Sequence, residues 1–178
     1  PPKKQEITTD KVQCFNTEQT KTFLQLLDCG LEYQYAERTR TNAKGIEYKV
    51  GAYTSRHEIP TQFKVFYAIA IFGGLRKGEI LGLTWNDINL ETGIIDITKS
   101  VSYTKRTVTV KVPKTKTSVR TIHLPVSVIN LLKDYRRGWL RNKFQLGSAW
   151  QGDDDFLFIH SNGKLMQRST PYHKFKEI

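Results

Sequence analysis

The most constraining feature of this sequence is an almost wholly apolar run, Val65–Phe72, that ends at the pair Gly73-Gly74. A segment that is apolar on nearly all sides must be covered on all of them, so it predicts a helix at the centre of a core. This helix opens at Pro60, and a second short helix is predicted from about Lys77 to Leu83. Arg76 therefore lies on a turn at the end of a buried helix.

The remaining segments predict a mainly helical fold with one small sheet. Asn16, with Gln19 three residues later, predicts the start of a helix that ends at Gly30. A long amphipathic helix follows Pro125, and a last helix begins near Ser169. Three alternating or β-branched segments predict a three-stranded antiparallel meander: Gly93–Ser100, Arg106–Val112 and Ser118–Leu124. The expected fold class is α+β, a mainly helical domain with one small three-stranded antiparallel sheet.

A chain of 178 residues is long enough for one domain with a real core. Residues 1–12 are polar and predict a linker or entry segment, and residues 13–178 are expected to form the domain. Within it, residues 31–59 carry tyrosines among many charges, and we interpret them as an irregular, partly ordered insertion. The absence of an initial methionine and an end inside a predicted helix indicate a piece of a longer protein.

The charge balance is strongly positive and bounds the class of partner. Lys and Arg total 28 against 17 Asp and Glu, a net charge of +11, which favours a polyanion and above all nucleic acid. A protein with a merely basic surface is the alternative. No apolar run reaches the roughly 18 residues of a membrane span. Cys14 and Cys29 form no metal-ligand pair, so we expect an intracellular, cytoplasmic protein without a bound metal.

Two stretches carry candidate chemistry. In the first, Gly73–Trp85, Arg76 is either a surface arginine paired with Glu79 or a guanidinium that grips a phosphate with its planar fork. In the second, Val112–Pro125, the residues Lys114 and Lys116 fall in the turn before the last predicted strand, which carries Arg120. They are either the solvated tip of a hairpin or a source of a proton for a leaving oxygen.

The two stretches together resemble the catalytic domain of the tyrosine recombinases, the phage and transposon integrases. The shared patterns are G-L-R-x-x-E followed by L-x-W-x-D, a strand pair, and then K-T-x-x-S-x-R, in that order. The resemblance runs from about Phe15 to the end of the chain. It implies a mainly helical fold with a small sheet, and an enzyme that breaks and rejoins DNA through a phosphotyrosyl intermediate without metal or nucleotide cofactor.

The resemblance also assigns roles to individual residues. Arg76 and Lys114 match catalytic residues, Arg76 clamping the phosphate oxygens and Lys114 protonating the leaving 5′-oxygen. Glu79 matches the acidic residue that supports the site. Lys116 is the alternative lysine if the hairpin register is shifted by two. The residues expected to contact DNA are Lys77, Lys116 and Arg120.

The family's His-x-x-Arg motif and its nucleophilic tyrosine have no match in this sequence. The stretch from His173 to Lys176 has lysine in place of arginine, and Tyr172 is no candidate nucleophile. We therefore expect these 178 residues to supply only the first half of an active site and to be inactive and monomeric alone. The intact protein is expected to act on double-stranded DNA as a DNA-dependent tetramer. The alternatives are a non-catalytic basic DNA-binding module and a basic domain that binds an acidic protein.

Overall fold

The computed structural model describes residues 14–104, 107–111, 119–152 and 155–178. The chain divides into two units, one ending at Glu58 and the other beginning at Ile59. The predicted linker, residues 1–12, and the two hairpin lysines, Lys114 and Lys116, lie outside the described residues.

The first unit contains the helix predicted after Asn16. Helix α1 spans Thr17–Cys29, and its first turn is closed by a reciprocal cap. The Gln19 amide donates to Asn16 Oδ1 at 2.8 Å, and the Asn16 amide donates to Gln19 Oε1 at 3.0 Å. The helix ends at Gly30, whose φ of 79° lies in the left-handed region that favours glycine. Both ends confirm the prediction.

Four strands follow α1 where irregular structure was expected. They are β1 (Leu31–Tyr35), β2 (Arg38–Thr41), β3 (Glu47–Val50) and β4 (Tyr53–His57). Strand β1 pairs antiparallel with β4, and β2 with β3, so the two pairs are nested around a turn that the Asn42 side chain closes. The expectation of irregular structure over 31–59 is wrong, while an insertion there stays a prediction. None of the strand residues is buried, and even the alternating apolar residues of β1 (LEYQY) are exposed or half-buried.

The second unit is built around the predicted apolar helix. Helix α2 spans Thr61–Gly73 and ends at Gly74 in the left-handed conformation. The other helices of this unit are α3 (Lys77–Gly82), α4 (Val126–Leu146) and α5 (Thr170–Glu177). Helix α2 packs on α4, and the core between them includes Val65, Ile69 and Leu132, which have no exposed surface. The apolar segment Phe156–Ile159 is buried as well, as predicted.

The strands of this unit differ from the predicted meander. They are β5 (Ile88–Asn89), β6 (Ile94–Ile97), β7 (Ser100–Tyr103), β8 (Val108–Lys111) and β9 (Arg120–His123). Strands β5, β6 and β9 form a three-stranded antiparallel sheet in the order β5-β6-β9, and β7 pairs with β8.

The α+β class with a small antiparallel sheet is confirmed, but the meander is wrong. The first and third predicted segments are direct neighbours, as β6 and β9. The chain leaves the sheet at Thr98 and Lys99, and the strand that follows, β7, pairs with the middle segment, β8. The sequence of β8 alternates, but all four of its residues are exposed. Within the described ranges, no helix is both long and apolar enough to cross a membrane.

Candidate active site

The centre of the candidate site is the carboxylate of Glu79, on the first turn of α3. Only 8% of its side chain is exposed, and it receives hydrogen bonds from two arginines. One is Arg76, which directly precedes the helix, and the other is Arg120, on β9. A buried carboxylate needs such partners, because removing a charge from water is costly unless it is paired and hydrogen-bonded.

Arg76 contacts Glu79 through both its main chain and its side chain. The Arg76 amide donates to Glu79 Oε2 at 2.9 Å, which satisfies a donor at the start of the helix, and Arg76 Nη1 donates to Glu79 Oε1 at 3.2 Å. Even so, 81% of the Arg76 side chain is exposed. Glu79 therefore binds the main-chain amide and one guanidinium nitrogen of Arg76 and leaves the rest of the guanidinium accessible.

Arg120 binds the same carboxylate with both of its terminal nitrogens. Nη1 donates to Glu79 Oε1 at 3.1 Å and Nη2 donates to Oε2 at 2.8 Å, a bidentate pair that connects β9 with α3. The Arg120 side chain is 32% exposed. The two arginines predicted for this site are thus brought together by the predicted acidic residue, which lies between them.

This arrangement sets the charge state of the site. The hydrogen bonds from Arg120, with those from Arg76, lower the pKa of Glu79 from 4.5 to about 2, although burial acts in the opposite direction. The bond to Glu79 also raises the pKa of Arg120. Glu79 is therefore ionised throughout the physiological range, as an anion that accepts hydrogen bonds from both arginines.

A second, partly buried ion pair, which was not predicted from the sequence, lies at the turn that follows α3. The Lys99 ammonium is 2.7 Å from Asp87 Oδ2 and donates to Thr84 Oγ1 at 3.1 Å. The Thr84 amide and hydroxyl both donate to Asp87 at 2.7 Å. A threonine followed three residues later by an acid is a recognisable capping signal, so Asp87 was detectable from the sequence. Lys99 was not, because its partner comes from another element.

The other predicted residues have different outcomes. Lys77 is exposed on the first turn of α3, next to Arg76. Lys114 and Lys116 lie outside the described residues, so their roles stay predictions. The described residues that flank them do have defined partners: Lys111 pairs with Ser100, and Arg120 pairs with Ile97.

Comparison with known proteins assigns the chain to a family. The phage integrase family matches residues 48–178. A XerC-like tyrosine recombinase of Caldanaerobacter subterraneus is 29% identical over 128 residues, covering 66% of this chain and 33% of the relative. The ICEBs1 integrase of Bacillus subtilis is 38% identical over 100 residues, covering 56% of this chain and 27% of the relative.

The fold has a counterpart among solved structures. The Tn1549 transposon integrase, in complex with transposon right end DNA, superimposes with a TM-score of 0.61 at 18% identity, covering 96% of this chain and 48% of that chain. The chain belongs to the phage integrase family, whose members are tyrosine recombinases. It spans about a third or less of the length of the curated relatives described above.

Proposed function

We propose that this chain is the part of a DNA integrase that grips the scissile phosphate during strand breakage and rejoining. The observation that carries the proposal is the shared carboxylate of Glu79, which holds Arg120 in the fold and presents Arg76 to solvent. Duplex DNA is the proposed partner, which the net charge of +11 and the DNA complex of the Tn1549 integrase support.

Arg76 is suited to a phosphate because of the donors that Glu79 leaves unused. A guanidinium has five N–H donors in a planar fork, and the side-chain bond to Glu79 uses Nη1. The accessible edge can donate to two non-bridging phosphate oxygens at once. Since Glu79 is ionised and buried, it holds the fork in place before the substrate arrives, which is what stabilises charge that develops on phosphorus.

The reaction that we propose is an exchange of phosphodiester bonds. A tyrosine oxygen attacks phosphorus as the bond to the 5′-oxygen breaks, which leaves a 3′-phosphotyrosyl link and a 5′-hydroxyl. The tyrosine loses its proton and the leaving oxygen gains one, for which Lys114 is the proposed donor. The later attack of a 5′-hydroxyl reverses these steps and reseals the strand. The number of phosphoester bonds is conserved at each step, so no nucleotide has to supply energy.

The proposal for Lys114 rests on the family resemblance and on the described strand that follows it. Arg120 lies six positions after Lys114 and is bound to the carboxylate that also orients Arg76. We therefore infer that Lys114 faces the phosphate held by Arg76, and that Lys116 and Lys77 contact the DNA beside it. The nucleophile is proposed to come from residues other than these 178, in a DNA-dependent tetramer of the intact protein.

The deciding experiment measures covalent capture of a suicide DNA substrate. The 178-residue chain should bind duplex DNA, with an affinity that falls steeply as salt rises, and should form no covalent complex. In a longer protein that includes the nucleophile, Arg76→Lys should slow cleavage by roughly two or more orders of magnitude, because it removes the bidentate fork.

The matched control is Arg141→Lys, which changes an exposed arginine of α4 and should cleave at the native rate. Native cleavage by Arg76→Lys would contradict the clamp. Salt-sensitive binding without cleavage by any longer form would instead support a non-catalytic DNA-binding module.

A further inference from the structure

A cavity of about 390 Å³ opens beside Arg76, and the proposed chemistry does not use it. Its walls come from the start of α3, from strand β7, and from Arg168 in the segment before α5. A water molecule occupies about 30 Å³ in the liquid, so the cavity admits a considerably larger group. It is continuous with the candidate site, because Arg76 lines both.

The wall between α3 and β7 depends on a close approach of two elements. A Cβ atom on Gly78 would lie 2.7 Å from Ser100 Oγ and 2.9 Å from the Val101 carbonyl oxygen. Only glycine therefore lets the helix approach the strand this closely. The result is a rigid wall on which Lys77, Ser100 and Ser102 border the same space.

The polar groups of the cavity are suited to an anion. Three cations line it, Arg76, Lys77 and Arg168, together with the hydroxyls of Ser100 and Ser102. No aspartate or glutamate is among the described residues that line it. Among the described residues, Arg168 has no hydrogen-bond or ion-pair partner, in contrast to Arg76 and Arg120. Glu79 pairs with Arg76 from outside the cavity wall, and a concave site lined by further cations and by no carboxylate attracts a negatively charged ligand.

The segment that carries Arg168 is anchored to the same wall. The hydroxyl of Tyr103, at the end of β7, donates to the Met166 carbonyl oxygen at 2.6 Å, and the Met166 amide donates to the Phe158 carbonyl oxygen at 2.9 Å. The Met166 side chain is buried. The backbone two residues before Arg168 is therefore fixed, and it delivers the guanidinium to the mouth of the cavity.

We propose that this cavity is a second phosphate subsite, in which Arg168 binds the phosphodiester adjacent to the one gripped by Arg76. Consecutive phosphates of one strand follow each other every ~3.4 Å of helix axis, so a strand that places one phosphate at Arg76 brings the next within reach. Lys77 and the two serine hydroxyls complete the set of donors. The subsite rests on the proposed function, because it assumes that Arg76 contacts DNA.

The first test measures duplex binding by the 178-residue chain as a function of salt. Arg168→Ala should weaken binding roughly tenfold, the scale of a lost hydrogen bond to a charged group. It should also reduce the slope of log K against log salt by about 0.9, the contribution of one phosphate contact. Arg168→Lys should restore the slope. Lys164→Ala, which removes an exposed cation of the same segment that does not line the cavity, should leave the slope unchanged.

The second test locates the contact with thymidine 3′,5′-bisphosphate, which carries two phosphates one nucleoside apart. The compound should shift the amide NMR signals of Gly78 and Ser102 in the wild type and not in Arg168→Ala. Equal slopes for Arg168→Ala and Lys164→Ala, or shifts confined to other surfaces, would overturn the subsite while leaving the proposed function intact. Loss of salt-dependent duplex binding by the wild type would instead overturn the proposed function itself.

Discussion

Two helical turns of the second unit are capped in the same way but differ in the exposure of the capped side chain. At the start of α3, the Arg76 amide donates to the carboxylate of Glu79, and Arg120 arrives from β9 to bind it. At the turn that follows α3, the Thr84 amide donates to Asp87, and Lys99 arrives from the end of β6. In both, an acid caps a turn and then receives a cation from the region of the sheet.

The difference lies in the residue that is capped. Thr84 is buried and its hydroxyl bonds to Asp87, so the second turn closes on itself. At the first turn the capped residue is an arginine, and 81% of its side chain remains exposed. The same capping arrangement can therefore form internal structure or present an exposed, oriented cation, depending on which side chain is capped.

The largest effect should follow from removal of the acid at the first turn. Glu79→Ala leaves the half-buried Arg120 without its bidentate partner, and we expect the free energy of unfolding to fall by about 3 kcal/mol. Urea unfolding measures this loss. Glu91→Ala is the control, because Glu91 is 85% exposed in its pair with Lys133 and should cost less than about 1 kcal/mol. Equal losses in the two variants would mean that Glu79 does not connect α3 to the sheet.

The ion pair of Glu79 with Arg120 should make the free energy of unfolding depend on pH. The pKa of Glu79 is about 2 in the folded chain against 4.5 for the free group, so the unfolded chain takes up the proton first as pH falls. The stabilisation is present above pH 4.5 and is lost as pH falls towards about 2, a loss of about 3 kcal/mol. Urea unfolding of the wild type and Glu79→Gln across this range should show a difference that shrinks with acid. A constant difference would contradict the pKa shift.

A somewhat smaller effect is expected at the second turn. Lys99→Met leaves the partly buried carboxylate of Asp87 without its ammonium, at a cost of about 2 kcal/mol in the free energy of unfolding. The folded variant should nevertheless bind duplex DNA with the wild-type salt slope, because the Lys99 ammonium is engaged with Asp87 and Thr84. A reduced slope at unchanged stability would show that this turn also faces DNA.

The smallest change in stability should come from Arg76, whose removal should affect DNA binding more than the free energy of unfolding. Arg76→Ala removes an exposed side chain while Arg120 still pairs with Glu79, so the free energy of unfolding should change by about 0.5 kcal/mol or less. Its salt slope for duplex binding should fall by about 0.9. A loss of stability as large as that of Lys99→Met would make Arg76 a structural residue.

Local features of the fold were the most predictable from the sequence. The cap at Asn16 and the glycine that ends α1 were predicted correctly, because each depends on residues within one or two turns. The pairing of β6 with β9 was not predicted, since it joins segments about 26 residues apart that alternate no better than β8 does. The hairpins of the first unit were missed for a related reason: their apolar residues are mixed with many charges, and none of the strand residues is buried.

The candidate site likewise combines local features that were predicted from the sequence with contacts between distant elements that were not. The spacing of Arg76 and Glu79 is local and was predicted, whereas the bond from Arg120 to Glu79 crosses from a strand to a helix. Arg120 was expected to contact DNA, and that role stays a prediction beside the structural one. Arg168 carried no signal in the sequence, because the proposal for it depends on the cavity that Tyr103 and Gly78 help to shape.

The bond between Glu79 and Arg120 can form only after a long stretch of the chain has been synthesised. The two residues are 41 positions apart, so a growing chain exposes Arg76 well before β9 has been synthesised. Until then Arg76 is a cation with only a local anchor, able to attract any polyanion but without the orientation that Arg120 and the sheet impose on its carboxylate partner. The arrangement of Arg76, Glu79 and Arg120 thus forms late, and a chain stalled during translation before residue 120 would lack it.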